Sequence, residues 1–165
     1  MVLAGLPQTR NRKGSPMTRY LKALYRRRAR RLFDVVAVHS YSRNAGGVLG
    51  TVKRARSVMR RAGDRRKQVW VTEVGWGTAG RANGFSAAYK TTPAGQAARI
   101  KSSLRTLIRN RRRYRIGSAI VFCLRDRLPG ATESNYWALH AGLFTRGGKA
   151  KPAWRTYKSI VRRRR

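Results

Sequence analysis

The sequence offers only 5 Asp and Glu against 40 Lys and Arg, so carboxylate chemistry has few places to come from. Glu73 is the most telling of them. It closes the apolar run Val69-Trp70-Val71-Thr72, where a carboxylate is costly unless something pairs with it. Arg125, His39 and Tyr41 are the candidate partners from neighbouring strand ends. Among so many cations this carboxylate is expected to stay ionised, which suits a nucleophile or an electrostatic stabiliser rather than a general acid. The alternative is a structural salt bridge to Arg125. One cysteine, Cys123, excludes an internal disulfide framework, and two histidines, His39 and His140, leave little for a zinc site of nitrogen and sulfur ligands. No metal or other cofactor is called for.

The elements that must position these residues follow from the apolar pattern. Val2 to Leu6 reads as a short strand, and Thr18 to Arg31 as a helix with Leu21, Leu24, Tyr25 and Ala29 on one face. Phe33 to His39 is a continuous β-branched run, as a strand covered on both faces should be. A second helix runs from Gly46 to Ala62 and stops at Gly63. Val69 to Glu73 is the next strand, followed by a Gly-rich loop from Gly75 to Thr91 of a length usually kept for function. Thr92-Pro93 opens a helix to about Arg112, Ser118 to Cys123 is the last strand, and a closing helix begins near Pro152. Strands alternating with helices imply an α/β fold with a parallel sheet and right-handed crossovers in one domain, residues 1–165.

In such folds ligands sit at the carboxyl ends of the strands. Those ends carry His39-Ser40-Tyr41, Glu73 with Trp76 just beyond, and Arg125-Asp126. Asp34 and Asp64 fall at the opposite, structural end, which leaves Glu73, Asp126 and Glu133 as the acids able to reach the site.

A formal charge of +35 invites a polyanion partner, and the runs Arg26 to Arg28, Arg111 to Arg113 and Arg162 to Arg165 would adhere non-specifically to one at low salt. A plain arginine bias on solvated helix faces accounts for the same runs, and no helix-turn-helix, zinc-finger or aromatic RNA-binding signature accompanies them. No apolar stretch approaches a membrane span, and the first residues do not read as a signal peptide, so the compartment stays open.

Taken in order, Phe33 to Tyr41, Val69 to Trp76, Phe122 to Asp126, Ala141-Gly142-Leu143-Phe144 and Lys151-Pro152-Ala153-Trp154 resemble the second half of clan A glycoside hydrolases. These are retaining (β/α)₈-barrel enzymes of the cellulase-like and xylosidase- or iduronidase-like families. The resemblance implies a partial barrel, roughly strands five to eight with their helices, and an oligo- or polysaccharide substrate. By the same resemblance Glu73 matches the nucleophile on the seventh strand. His39 and Tyr41 match the pair on the sixth strand that flanks the sugar and orients the nucleophile. Trp76 and Trp137 would offer ring faces to sugars, and Arg125 with Asp126 would line the pocket. A loop anchor is the competing reading for the tryptophans, and a buried core histidine for His39.

Two departures from the family bear on activity. The eighth strand usually presents a tryptophan just before its Arg-Asp pair, and this chain has Leu124. The acid/base of the family is the Glu of an Asn-Glu pair on the fourth strand, and no Asn-Glu occurs here. Glu133 or Asp126 could substitute, although neither stands at the family position. A whole barrel takes about 250 residues, so a half-barrel, a C-terminal piece or a degenerate copy is expected, with little hydrolysis unless a partner supplies the missing N-terminal half. Fold-preserving alternatives are a basic polyanion-binding protein and a carbohydrate-binding pseudoenzyme. Loss of the absent loops leaves the sugar, the linkage and exo or endo action open.

Overall fold

A computed structural model describes residues 1–8 and 16–162, and within them the strands and helices alternate as expected. The elements are β1 (Val2–Pro7), α1 (Met17–Arg26), β2 (Val35–His39), α2 (Ala45–Arg61), β3 (Gln68–Val74), α3 (Pro93–Arg109), α4 (Arg111–Tyr114), β4 (Ile116–Val121) and α5 (Pro152–Arg162). Residues 163–165, the end of the last arginine run, lie outside the described residues.

The chain divides into two compact units. The first comprises Met1–Ser40, Gly46–Val74 and Thr106–Ile120. It holds the sheet, whose strands lie in the order β1-β2-β3-β4. Both β1–β2 and β2–β3 are parallel, so each strand is reached by a crossover through a helix. The central strand β2 is buried on both faces through Val36, Ala37 and Val38, as its β-branched run requires. Each fully buried valine contributes about 1.5–3 kcal/mol relative to leaving it in water. On α2 the 3.6-residue period brings Val48, Val52, Ala55 and Met59 inward, all fully buried. The outer strands are different: Val2 on β1 is 44% exposed and Ile120 on β4 is 49% exposed, so apolar surface remains at the sheet edges.

At the amino-terminal end of the strands Asp64 is buried and structural, as its turn position predicts. It accepts a hydrogen bond from the Tyr25 hydroxyl at 2.8 Å and pairs with Lys67 at 2.9 Å. Burial and the neighbouring carboxylate push the Tyr25 phenol well above its usual range, so it stays protonated and keeps donating. Arg56, buried on α2, donates to the carbonyls of Lys67 and Arg65 and holds the same turn.

The second unit comprises Tyr41–Ala45, Gly75–Arg105 and Val121–Arg165. It is built largely from loops, and polar side chains fasten them. Gln96 on α3 is fully buried, and its amide donates to the carbonyls of Trp76, Ala141 and Gly142 at 2.8, 3.0 and 3.2 Å. Gly77 lies so close to the Trp137 carbonyl that a Cβ would stand 2.0 Å from its oxygen, which explains one glycine of the Gly-rich segment.

Several boundaries differ from the sequence reading. The helix expected over Thr18 to Arg31 ends at Arg26, and Ala29–Leu32 forms a separate 3₁₀ turn entered through Arg28 in the left-handed region. The helix expected to Arg112 ends at Arg109, and Arg111–Tyr114 makes a turn of its own. The Gly75 to Thr91 segment is not plain loop: Gly84–Tyr89 forms a 3₁₀ helix, fixed at its start by reciprocal capping between Asn83 and Ser86. The last strand stops at Val121, two residues early.

Candidate functional site

Strand pairing creates the first constellation. Along β2 and β3 the register runs Val36 to Val69, Ala37 to Trp70 and Val38 to Val71, then shifts so that His39 stands opposite Glu73. One residue of β2 advances against two of β3, a bulge that re-aims the last side chains of both strands. The result is a contact of 3.2 Å between His39 Nδ1 and Glu73 Oε2, with the two side chains 25% and 30% exposed. The backbone stays tied beyond this point, because Ser40 N donates to the Glu73 carbonyl at 2.8 Å. With a proton on Nδ1 the imidazole donates to the carboxylate and fixes its rotation, while the partial exposure leaves the group within reach of a ligand.

A third strand completes this pair in a way the sequence reading did not assign. A Cβ on Gly5 of β1 would stand 1.9 Å from His39 Nε2 and 2.4 Å from its Cδ2. Only a residue without a side chain lets the imidazole lie across β1. The β1–β2 register is itself irregular between Leu3 and Leu6, around Gly5. The signal was available in principle, since a glycine inside a strand marks a bulge or a close approach.

The remaining predicted residues belong to the second unit. Tyr41 is half-buried in an aromatic nest, with ring centroids 5.2 Å from Trp137, 5.9 Å from Tyr89 and 6.2 Å from Phe122. These near-perpendicular and tilted arrangements suit the quadrupoles of the rings. Trp137 is 9% exposed, so most of its ring is spent inside this nest. Trp76 is fully buried and its Nε1 donates to the Ser42 carbonyl at 2.7 Å. The ring anchors the loop and has no face open to a sugar, which favours the anchor reading over the platform reading.

Asp126 is held on several sides. Its carboxylate oxygens lie 2.7 and 2.8 Å from Lys151 Nζ, and Oδ1 also accepts from Gly142 N at 2.8 Å. Lys151 is buried and donates further to Thr78 Oγ1 and to the His140 carbonyl, both at 3.0 Å. Sequence reading missed Lys151 as a structural cation, because a lysine before a proline gives no sign of burial. Arg125 is exposed, and its backbone bridges to Phe144. Glu133 is engaged by both terminal nitrogens of Arg127, at 2.6 and 2.8 Å, and this fork holds its carboxyl below the usual range. Glu133 is therefore a poor proton donor near neutral pH. The Cys123 thiol is pushed up by burial and by the Asp126 carboxylate.

The chain matches the family model described as glycosyl hydrolase catalytic core over residues 2–121. No curated protein matches it. Several solved structures share the fold. A GH2 β-galacturonidase from Eisenbergiella tayi bound to galacturonate aligns with a TM-score of 0.56 at 16% identity, covering 78% of this chain and 23% of that one. A GH5_18 protein from Bifidobacterium longum subsp. longum, in complex with Manβ1-4GlcNAc, gives 0.54 at 19% identity, covering 79% and 30%. The Ruminococcus gnavus β-glucuronidase gives 0.51 at 17% identity, covering 79% and 23%. This chain thus spans less than a third of the length of each. At such identities the likeness speaks for the fold, a partial (β/α)₈ barrel. The family match runs through β1, β2 and β3, which carry Gly5, His39 and Glu73, and it agrees with the resemblance to clan A enzymes: the chain belongs to the glycosyl hydrolase catalytic core family.

Proposed function

We propose that this chain carries the nucleophile side of a retaining glycosidase site, with Glu73 as the nucleophile and His39 as the residue that orients it. The observation that carries this reading is the 3.2 Å pair between His39 Nδ1 and Glu73 Oε2 at the carboxyl ends of adjacent parallel strands. In the double displacement, a Glu73 oxygen attacks the anomeric carbon as the bond to the leaving oxygen breaks. Water then attacks the same carbon and returns the carboxylate. By the resemblance, Tyr41, Trp137, Arg125 and Asp126 are proposed sugar-binding residues of the second unit. Asp126 would act there through its loop, since its oxygens are already held by Lys151 and Gly142 N.

The acid/base is the missing element. A retaining site needs a second carboxyl group about 5–5.5 Å from the first to protonate the leaving oxygen. Neither Glu133, clamped by Arg127, nor Asp126, locked to Lys151, is suited to that work. Ordinary glycosides should therefore turn over slowly or not at all with this chain alone. A leaving group that needs no proton removes the requirement.

The test uses 2,4-dinitrophenyl 2-deoxy-2-fluoro-glycosides, whose leaving group departs as the anion. A panel of β-galacturonide, β-glucuronide and β-mannoside probes covers the sugars met by the structural neighbours. The expected result is a covalent adduct on the Glu73 peptide by mass spectrometry, absent in Glu73→Gln. Labelling elsewhere, or labelling that persists in Glu73→Gln, would remove the nucleophile assignment. The pseudoenzyme alternative predicts sugar binding with no adduct.

A further inference from the structure

The first unit carries a second feature, at the end of the strands opposite Glu73. The carboxyl-terminal ends of α1 and α2 and the Ala29–Leu32 turn enclose a groove of about 1040 Å³. Six cations line it: Lys22, Arg26, Arg28, Arg30, Arg31 and Arg61. Among the described residues only Arg30 has an acidic partner, Asp64, at 4.0 Å. The other five cations stand in one concavity without a counter-charge. Helix carboxyl termini favour cations singly, but not at this density.

The backbone adds a second, independent sign. Arg28 has φ of +58°, a left-handed conformation that arginine adopts at a cost, and its side chain lies exposed rather than packed. Its N–H is tied to the Tyr25 carbonyl at 3.1 Å, so the turn is held. The groove also continues. Arg61 is shared with a neighbouring hollow of about 550 Å³ lined by Lys53, Arg60, Arg65 and Arg113. Arg30 and Arg31 are shared with another beside Lys67, whose one carboxylate, Asp34, is paired with the Met1 amino group. The cations therefore form a track rather than a point.

We infer that this basic track is a binding site for the phosphodiester backbone of a nucleic acid, separate from the sugar site. Arginine dominates the lining, and its planar fork matches phosphate oxygens two at a time. A track suits a chain of regularly spaced charges. The aromatic residues along the track are already engaged: Tyr25 has its hydroxyl committed to Asp64 and its ring edge-on to Phe33, Phe33 lies under Lys67 Nζ at 4.5 Å, and Tyr114 has Lys53 Nζ and the Arg113 guanidinium over its ring at 5.9 and 5.4 Å, so no free stacking platform for bases is offered. Recognition is then of backbone and not of sequence.

The test is fluorescence anisotropy of labelled oligothymidylate with the full chain across about 50–200 mM salt, with log affinity plotted against log salt. The triple variant Arg26→Gln, Arg28→Gln, Arg61→Gln should lose about tenfold or more in affinity and flatten the slope by about 2, from about 0.7 per lost single-strand phosphate contact. All three side chains are exposed, so folding should be retained and circular dichroism checks it. The control Arg81→Gln, Arg105→Gln, Arg155→Gln removes the same charge from the second unit and should cost no more than about twofold. Glu73→Gln should bind like the unaltered chain, and inorganic polyphosphate should compete. Equal losses in the two triples would show that net charge alone attracts the strand, and the site would be withdrawn. Heparin binding more tightly than oligothymidylate, with the same dependence on Arg26, Arg28 and Arg61, would also overturn it by assigning the track to sulfated glycans.

Discussion

Glu73, near the end of β3, and Asp126, beyond the end of β4, are both carboxylates at the carboxyl ends of strands, yet the structure treats them in opposite ways. Asp126 is 11% exposed and locked to a lysine that is 6% exposed, with Gly142 N, Thr78 and the His140 carbonyl completing the cluster. Glu73 is 30% exposed and faces an imidazole, a partner whose charge is set by a proton it can gain or lose. The first arrangement consumes its donors and excludes water, which suits a brace between loops. The second keeps a carboxylate oriented while leaving it accessible, which suits chemistry. A carboxylate at a strand end is thus left reachable or taken up as a strut according to how completely its partner is buried.

Breaking the strut should give the largest effect. Removing one member of a buried ion pair strands a charge, so Lys151→Ala should destabilise the fold by about 3–5 kcal/mol in urea unfolding. Replacing both partners, Lys151→Met with Asp126→Leu, should recover most of that loss. A cost below about 1 kcal/mol for Lys151→Ala would mean that the pair contributes no more than an exposed one, and the contrast with Glu73 would collapse.

A smaller effect is expected at Gly5. The added methyl of Gly5→Ala cannot coexist with the imidazole, so His39 should leave Glu73 at a cost of about 1–3 kcal/mol, the range for overpacking. The His39→Ala exchange should relieve most of the Gly5→Ala penalty, a coupling readable in a double-mutant cycle. Additive costs would show that Gly5 and His39 do not depend on each other. The least perturbing probe is chemical. With its thiol pushed up by burial and by Asp126, Cys123 should be alkylated by iodoacetamide near pH 8.5 more slowly than an unstructured cysteine peptide, and at the same rate once unfolded. Equal rates in the folded chain would argue that the loops around Asp126 are open.

Much of the strand and helix order was legible because it rests on short-range pattern. The β-branched run ending at His39 and the apolar run ending at Glu73 both became strands, and Pro93 and Pro152 both open helices. Turn details were less legible: nothing local distinguishes a helix that stops at Arg26 from one that continues to Arg31, since Arg27-Arg28-Ala29-Arg30-Arg31 consists of good helix formers. Trp76 shows the limit for site residues. Its type and neighbourhood fit a sugar platform, and only its burial beneath the Ser42 carbonyl makes it an anchor.

What the sequence determined by itself was the alternation of strands and helices, the excess of cations and the small set of carboxylates able to react. These depend on residue type and period, which a linear string records in full. The tertiary structure decided that a bulge would turn His39 onto Glu73, that Gly5 would leave room for the imidazole, and that Lys151 would bury its charge against Asp126. Each of those outcomes depends on which distant backbone lies a few ångströms away, and residue spacing along the chain carries no measure of that distance.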